Sequence, residues 1–398
     1  MKQRFKIIPV VAFLIMLIGG SALGQGDTAP VNILGLVPLT GPYAADGELL
    51  RRGHELAIEH FGGTVLDRPI EYILRDSQSD VGVSVRRVTE ALDAQDVTAI
   101  VGPWADNVGQ AIADLARQRE VVHYWSGGPI ECNAYAFEWA PSYYSAVWGV
   151  MDYINNENPD AKRWYLLTAD YSFGDTLETL EQAIAEEQGI EIVGSSRHVL
   201  GERQFSRYMP EIAALAPDVL VLNNFGLDTA QAIREAASFG LHQSTQIVVP
   251  WGSGIEDYLR LDPEITQGMI IGTAFYYTVD TPEAQKFTED YIDRYGEPPG
   301  YPAGSAYSAM LTILQGIERA GSSEPAALVE AMEGWKFNGL LGEMTIDANT
   351  HKTIRPVFIT RGKAPADMSN SFDVAELVAS ITRPAPPEFE TCAGITSR

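Results

Sequence analysis

Apolar, strand-like runs alternate with helix-period stretches along most of this 398-residue chain. "VNILGLVPL" leads through a Gly/Pro-broken loop into a helix expected over about residues 48–61, followed by the strand "PIEYILRDS". Helix "GVSVRRVTEALDA", strand "VTAIVG", helix "DNVGQAIADLARQ" and strand "VVHYWS" continue the pattern. A chain built of βα units has few solutions. Right-handed crossovers lay its strands into a parallel sheet with helices on both faces. The first helix places Leu50, Gly53, Ala57 and Phe61 on one face, the spacing a sheet-packing helix needs.

A second series follows "EWAPSYYSA". Helices are expected over 144–157, 175–188, 206–215 and 228–239, alternating with the strands "RWYLLTA", "IEIVGSS", "DVLVLNN" and "QIVVP". Residues 281–334 read as helical, "GEMTID" and "RPVFITRG" as late strands, and the Pro-rich tail from residue 382 as irregular. The fold class is therefore α/β. Two such series, in a chain longer than one core usually serves, imply two similar lobes facing one another.

Residues 1–24 carry Lys2, Arg4 and Lys6, an apolar stretch over 7–18 and the small residues Ala22 and Gly24, the pattern of a signal peptide cleaved near Gly24. An N-terminal membrane anchor is the alternative, but the apolar run is short for a span and no second one follows. No cysteine stands at the end of the run, which argues against a lipid anchor. Loss of that leader moves the formal charge from −25 to −28. Such acidity makes nucleic acid a poor partner, because a phosphate backbone demands a basic face, and a solvated surface accounts for it. The two cysteines, Cys132 and Cys392, pair more naturally as a disulfide in an exported chain than as a metal or catalytic site; two free buried thiols are the alternative.

Catalytic and cofactor motifs are absent from the sequence. The opening loop "GPYAADG" lacks G-x-G-x-x-G, and "GIERAG" (316–321) lacks the lysine of a phosphate loop. "WGSG" (251–254) is not a nucleophile elbow. His54 and His60 lie six residues apart, which points them to different helix faces, so "HELAIEH" reads as surface histidines and not as a zinc helix. No metal and no cofactor is expected.

The loops after the strands are rich in aromatics instead. Ligands of doubly wound sheets sit beyond the carboxyl ends of strands. There the sequence offers Tyr43, then Trp104, Asp106 and Asn107, then Trp125, Ser126 and Gly127. The second series offers Tyr171 and Phe173, Asn224 and Phe225, Trp251, and finally Tyr276 beside a crossing between lobes. An aromatic lining with a few polar groups describes a small-molecule cleft. Core packing explains any one of these residues equally well, but their recurrence after strand upon strand favours the cleft.

Along nearly its whole length beyond the leader the sequence resembles periplasmic solute-binding proteins of the leucine/isoleucine/valine-binding type, the receptors of ATP-driven (ABC) importers. The resemblance is carried by "GLVPLTGPYAADG" (35–47), "TAIVGPWADNVGQAIADLA" (98–116), "TADYSFGDTLE" (168–178), "RHVLGERQFSRYMPEI" (197–212), "GLDTAQAIREAASFGL" (226–241), "AYSAMLTILQGIERAG" (306–321) and Cys392. It implies two Rossmann-like lobes joined by three hinge crossings. Residues 28–142 and 278–350 would form one lobe, and 143–277 with 351–398 the other, the tail returning to the first. Tyr43 and the loops of Trp104 and Trp125 would meet ligand from the first lobe, and Tyr171, Phe173, Phe225 and Trp251 from the second.

Two positions depart from the family pattern. Asp106 occupies the slot where amino-acid binders commonly place a carboxylate-binding serine, and "PWGSG" lacks their acidic residue until Glu256. Asp106 either faces a hydroxyl, amide or cationic ligand or caps the following helix. The expectation is an exported, monomeric, non-enzymatic binding protein. It would capture a small organic solute (an amino acid, an aromatic acid or a relative) and hand it to a membrane permease. A sensory binding protein that docks on a receptor and a secreted hydrolase are the competing readings.

Overall fold

The computed structural model describes residues 29–128, 131–390, 392 and 394–395. The expected signal peptide and its cleavage point near Gly24 lie outside the described residues. The first sheet contains β1 (Val31–Val37), β2 (Thr64–Val65), β3 (Arg68–Asp76), β4 (Ala99–Val101), β5 (Val122–Trp125) and β6 (Ala136–Glu138) in the order β2-β3-β1-β4-β5-β6. All its pairings are parallel except the β2–β3 hairpin. The second sheet is built on β7 (Arg163–Ala169), β8 (Glu191–His198), β9 (Val219–Asn223), β10 (Gln246–Gly252) and β11 (Ile270–Thr273). A small antiparallel sheet holds β12 (Lys336–Gly339), β13 (Gly342–Ile346) and β14 (Thr353–Ile354). Finally, β15 (Val357–Gly362) and β16 (Ala375–Ile381) extend the second sheet antiparallel to its edge at β11. Strand β16 was not legible in the sequence: it is largely solvent-facing and lies in the stretch just before the Pro-rich tail.

The helices of the first lobe are α1 (Ala44–Phe61), α2 (Val81–Ala94) and α3 (Asp106–Arg119). Those of the second are α4 (Tyr143–Glu157), α5 (Ser172–Gln188), α6 (Met209–Leu215), α7 (Leu227–Ser238), α8 (Ile255–Leu259) and α9 (Pro263–Thr266). The segment expected to be helical over 281–334 is α10 (Pro282–Tyr295), α11 (Tyr301–Ala320) and α12 (Pro325–Met332).

Helix α1 starts four residues earlier than its apolar period indicates. Gly41, at φ +93°, turns the chain out of β1, and Gly47 lets the first helical turn press on the strand end. A Cβ at Gly47 would stand 1.9 Å from the carbonyl oxygen of Pro38. The face of Leu50, Gly53 and Ala57 is buried, and much of it packs on α11 rather than on the sheet alone, because Gly53 admits the main chain of Ala303. The histidines of "HELAIEH" are not surface residues. His54 is fully buried with Nδ1 2.7 Å from the Tyr72 hydroxyl, and His60 is half-buried with Nδ1 3.0 Å from the Tyr307 hydroxyl. Burial pushes the His54 imidazole down to about 3, so it is neutral.

The chain crosses between the lobes three times: after β6, after β11 and between β14 and β15. Arg355, buried, ties the three together. Its guanidinium donates to the carbonyl of Ala274 in the second crossing and of Trp139 in the first, and it lies 3.7 Å from the centroid of the Trp139 ring. Cys132 and Cys392 are joined in a disulfide with a Cα–Cα distance of 5.3 Å, fastening the tail to the first lobe. Beside it, Phe389 stacks on Tyr144 with ring centroids 5.5 Å apart.

Candidate functional site

The carboxyl ends of the strands in both sheets point into the gap between lobes. Tyr43 stands immediately before α1, on a loop tied down by Asp76 at the end of β3. That carboxylate accepts from the amides of Leu39 (2.9 Å) and Thr40 (3.2 Å) and from the Thr40 hydroxyl (2.7 Å). Trp104 and Asp106 occupy the turn from β4 into α3, and Gly127 follows β5. From the other lobe Tyr171 and Phe173 come from the turn between β7 and α5, Phe225 from the end of β9 and Trp251 from β10. These eight residues line one cavity.

Ala105, Tyr143 and Tyr301 complete the wall. Tyr143 opens α4, after β6 and the first crossing, and Tyr301 opens α11, after α10; strand-end reasoning could not reach Tyr301 because a helix and not a strand precedes it. A tyrosine at the first position of a helix is the signal that would have found them.

The rings lock together edge to face. Tyr143 meets Trp251 at 4.8 Å and 70° and Phe173 at 5.5 Å and 85°, while Trp104 meets Phe225 at 5.5 Å and 69°. Such pairs are favoured by the ring quadrupole. Across the gap the Tyr43 and Tyr171 hydroxyls are 2.8 Å apart. The lobes are closed, and the inner cavity has a free volume of about 20 Å3. A larger adjoining cavity of about 540 Å3 lies between Gly41 and Pro42 of the first lobe and Arg203, Leu227 and Asp228 of the second; Tyr43 and Phe225 stand in the walls of both.

Asp106 is the one charged side chain in the inner wall. It does not cap α3: the capping position is Ala105, without a side-chain cap. The Asp106 carboxylate instead accepts from the Tyr143 hydroxyl, at 3.0 and 3.2 Å, and from the amide of Gly128 at 3.3 Å. Burial pushes its carboxyl up to about 6, against the opposing pull of those two donors. Desolvation and the neighbouring carboxylate hold the Tyr143 hydroxyl far above its ordinary value, so it stays a proton donor.

Five residues expected at the cleft lie outside the cavity. Asn107 is exposed on α3, one residue beyond the turn. Trp125 is buried beneath the loop rather than above it. Its indole fills the space left by Gly109 and Gly127, where a Cβ would come within 2.8 and 2.1 Å of the ring, and its Nε1–H donates to the Gly128 carbonyl. Ser126 faces inward and offers only its carbonyl, which accepts from the Tyr301 hydroxyl at 2.6 Å. Tyr276 is buried in the second-lobe core and donates to the Ala375 carbonyl at 3.3 Å. Asn224 likewise turns away, its amide 2.8 Å from the ring of His198. Glu256 is not in the wall, and burial pushes its carboxyl up to about 8. Among the described residues no group of three or more His, Cys, Asp or Glu side chains is placed to hold a metal ion.

A cleft at strand ends, closed on aromatic rings by two lobes, agrees with the sequence profile of the periplasmic binding proteins, which matches residues 30–367. The chain belongs to the periplasmic binding protein family. Members of this family bind solutes and catalyse no reaction, and the same holds here. An amino-acid ABC transporter substrate-binding protein from Pseudomonas fluorescens Pf-5 superposes with a TM-score of 0.83 at 31% identity, covering 90% of this chain and 97% of that one. A Brucella melitensis Leu/Ile/Val-binding protein homolog is 25% identical over 372 residues, 91% of this chain and 94% of that protein. In fold the chain is also similar to a Rhodopseudomonas palustris solute-binding protein solved with 3,4-dihydroxybenzoic acid (TM-score 0.82, 18% identity, 91% and 99% covered). No helix among the described residues of this periplasmic binding protein is long and apolar enough to cross a membrane.

Proposed function

We propose that this protein is the substrate-binding component of an ATP-driven importer, exported to the periplasm with its leader cleaved near Gly24. As a monomer it captures a small organic solute in the interlobe cleft and presents it to a membrane permease. The observation that carries this reading is the convergence of aromatic side chains from both lobes on one cavity at the strand ends. A solute touching both walls favours the closed arrangement over the open one, which is how binding becomes a shape the permease reads. The lobes divide near residues 142 and 277 and, beyond the expected boundary at 350, between β14 and β15. Ligand contacts come from Tyr43, Trp104, Asp106 and Gly127 on one side and Tyr171, Phe173, Phe225 and Trp251 on the other.

A thermal-shift screen over amino acids, aromatic acids, polyols, amides and alkylammonium ions tests the capture step. A solute at a hundredfold its dissociation constant stabilises by about 2.7 kcal/mol, so a binder raises the melting temperature saturably. If no class of solute does so, the reading fails. Uptake of the hit into membrane vesicles that depends on added protein tests the importer step.

A further inference from the structure

We propose that the solute is a small organic cation, an alkylammonium group held among the aromatic faces with Asp106 as its counter-ion; this rests on the solute-capture reading above. The inner wall carries one carboxylate and no Arg, Lys or His. Asp106 accepts two hydrogen bonds and makes no ion pair among the described residues, so it presents charge to the cavity with lone pairs to spare.

Arg260 and Arg355 are committed elsewhere, while Arg203 and Arg234 line the adjoining cavity and not the inner wall. Arg260 lies between Asp46 (3.3 Å) and Asp257 (3.4 Å), and Arg355 is spent on the carbonyls and the indole of the crossings. An aromatic acid seated in the inner cavity would therefore place its carboxylate beside Asp106 with no opposing charge in that wall. An amino-acid zwitterion would satisfy Asp106 with its ammonium and leave its own carboxylate among rings.

A cation meets neither obstacle. The rings of Phe173, Tyr143, Trp251 and Tyr301 stand nearly perpendicular in successive pairs, at 85°, 70° and 85°. Eight aromatic side chains line the cavity around Asp106, and ring faces attract quaternary ammonium groups.

The full mature chain is titrated calorimetrically with choline, tetramethylammonium, leucine, benzoate and 3,3-dimethylbutan-1-ol, the uncharged isostere of choline. Choline or tetramethylammonium is expected to bind, with the isostere at least about tenfold weaker than choline. Asp106→Asn, which keeps the acceptor for Tyr143, is expected to weaken choline by at least about tenfold and leave the isostere unchanged. Should that variant fail to fold, the comparison of choline with its isostere on the unaltered chain still decides. Equal binding of the two, or binding of benzoate or leucine where neither cation binds, overturns the cation assignment while leaving solute capture intact. A protein that binds none of these nor any solute of the wider screen overturns both.

Discussion

The hydroxyl of Tyr43 lies 2.8 Å from that of Tyr171, and the two side chains come from opposite lobes. This bond spans the cleft at the inner cavity, where both rings also form part of the wall. One hydrogen bond thus belongs both to the binding surface and to the closure of the molecule.

Removing it separates the two roles. A hydrogen bond of this kind contributes about 0.5–1.5 kcal/mol net. Tyr171→Phe keeps the ring and its packing on Phe173, so the closed population is expected to fall about two- to tenfold against the open one. X-ray scattering of the unliganded variant should show a larger radius of gyration, and an unchanged radius would assign closure to other contacts.

Closure has a second latch in Arg260, which reaches from the second lobe to the buried Asp46 of α1 while also holding Asp257. Arg260→Met leaves two buried carboxylates without their partner, and breaking a buried pair from one side costs about 3–5 kcal/mol. The urea midpoint should drop accordingly. Asp46→Asn added to Arg260→Met should recover part of the loss, because one stranded charge is gone. A double variant no more stable than the single would show that Asp46 is not the group Arg260 neutralises.

Stability should also depend on pH through Glu181. This carboxyl is fully buried on α5, accepts from Asn223 Nδ2 at 2.7 Å and leaves its other oxygen without a partner. Burial pushes it up to about 8, with nearby Glu178 adding to the rise and Asn223 opposing it. A folded-state value above the unfolded one means the folded protein binds the proton more tightly. The contribution is complete below the ordinary carboxylate range and is lost as pH rises through about 8. Urea unfolding between about pH 5 and pH 8 should show stability falling with pH, by at most about 1.4 kcal/mol per unit from this group. Glu181→Gln should flatten that part of the slope, and a slope identical in the variant would remove Glu181 as its source.

The packing of α1 on α11 depends on Gly53. A Cβ there would meet the Ala303 carbonyl oxygen at 2.3 Å and the Ala306 methyl at 2.9 Å. Overpacking of this kind costs about 1–3 kcal/mol. It outweighs the roughly 1 kcal/mol that alanine gains over glycine in a helix, because the nearest atom is main chain. Gly53→Ala should lower the urea midpoint, whereas the exposed helical control Gly82→Ala, whose Cβ would come no nearer than 3.4 Å to Asp80 Oδ1, is free of that clash.

Much of the architecture is a consequence of local pattern. Period-2 and period-3.6 apolar spacing are written into each segment, so the βα series, the two lobes and the strand-end loops were all legible from residues a few positions apart. Recurrent aromatics after strands pointed to Tyr43, Trp104, Phe173, Phe225 and Trp251 for the same reason: topology puts every such loop at one end of a parallel sheet. Only the tertiary structure decided which way each loop residue turns. Trp125 fills the hollow over Gly109 and Gly127 and faces the core, and Tyr276, equally aromatic, joins the second-lobe core. Tyr143 and Tyr301 enter the cleft from helix starts, one after the first crossing and the other after α10. The orientation of Asp106 follows from a hydroxyl 37 residues away and an amide 22 away. A side chain's direction is set by the space and the partners around it, and those arrive from distant segments only when the lobes are folded and closed.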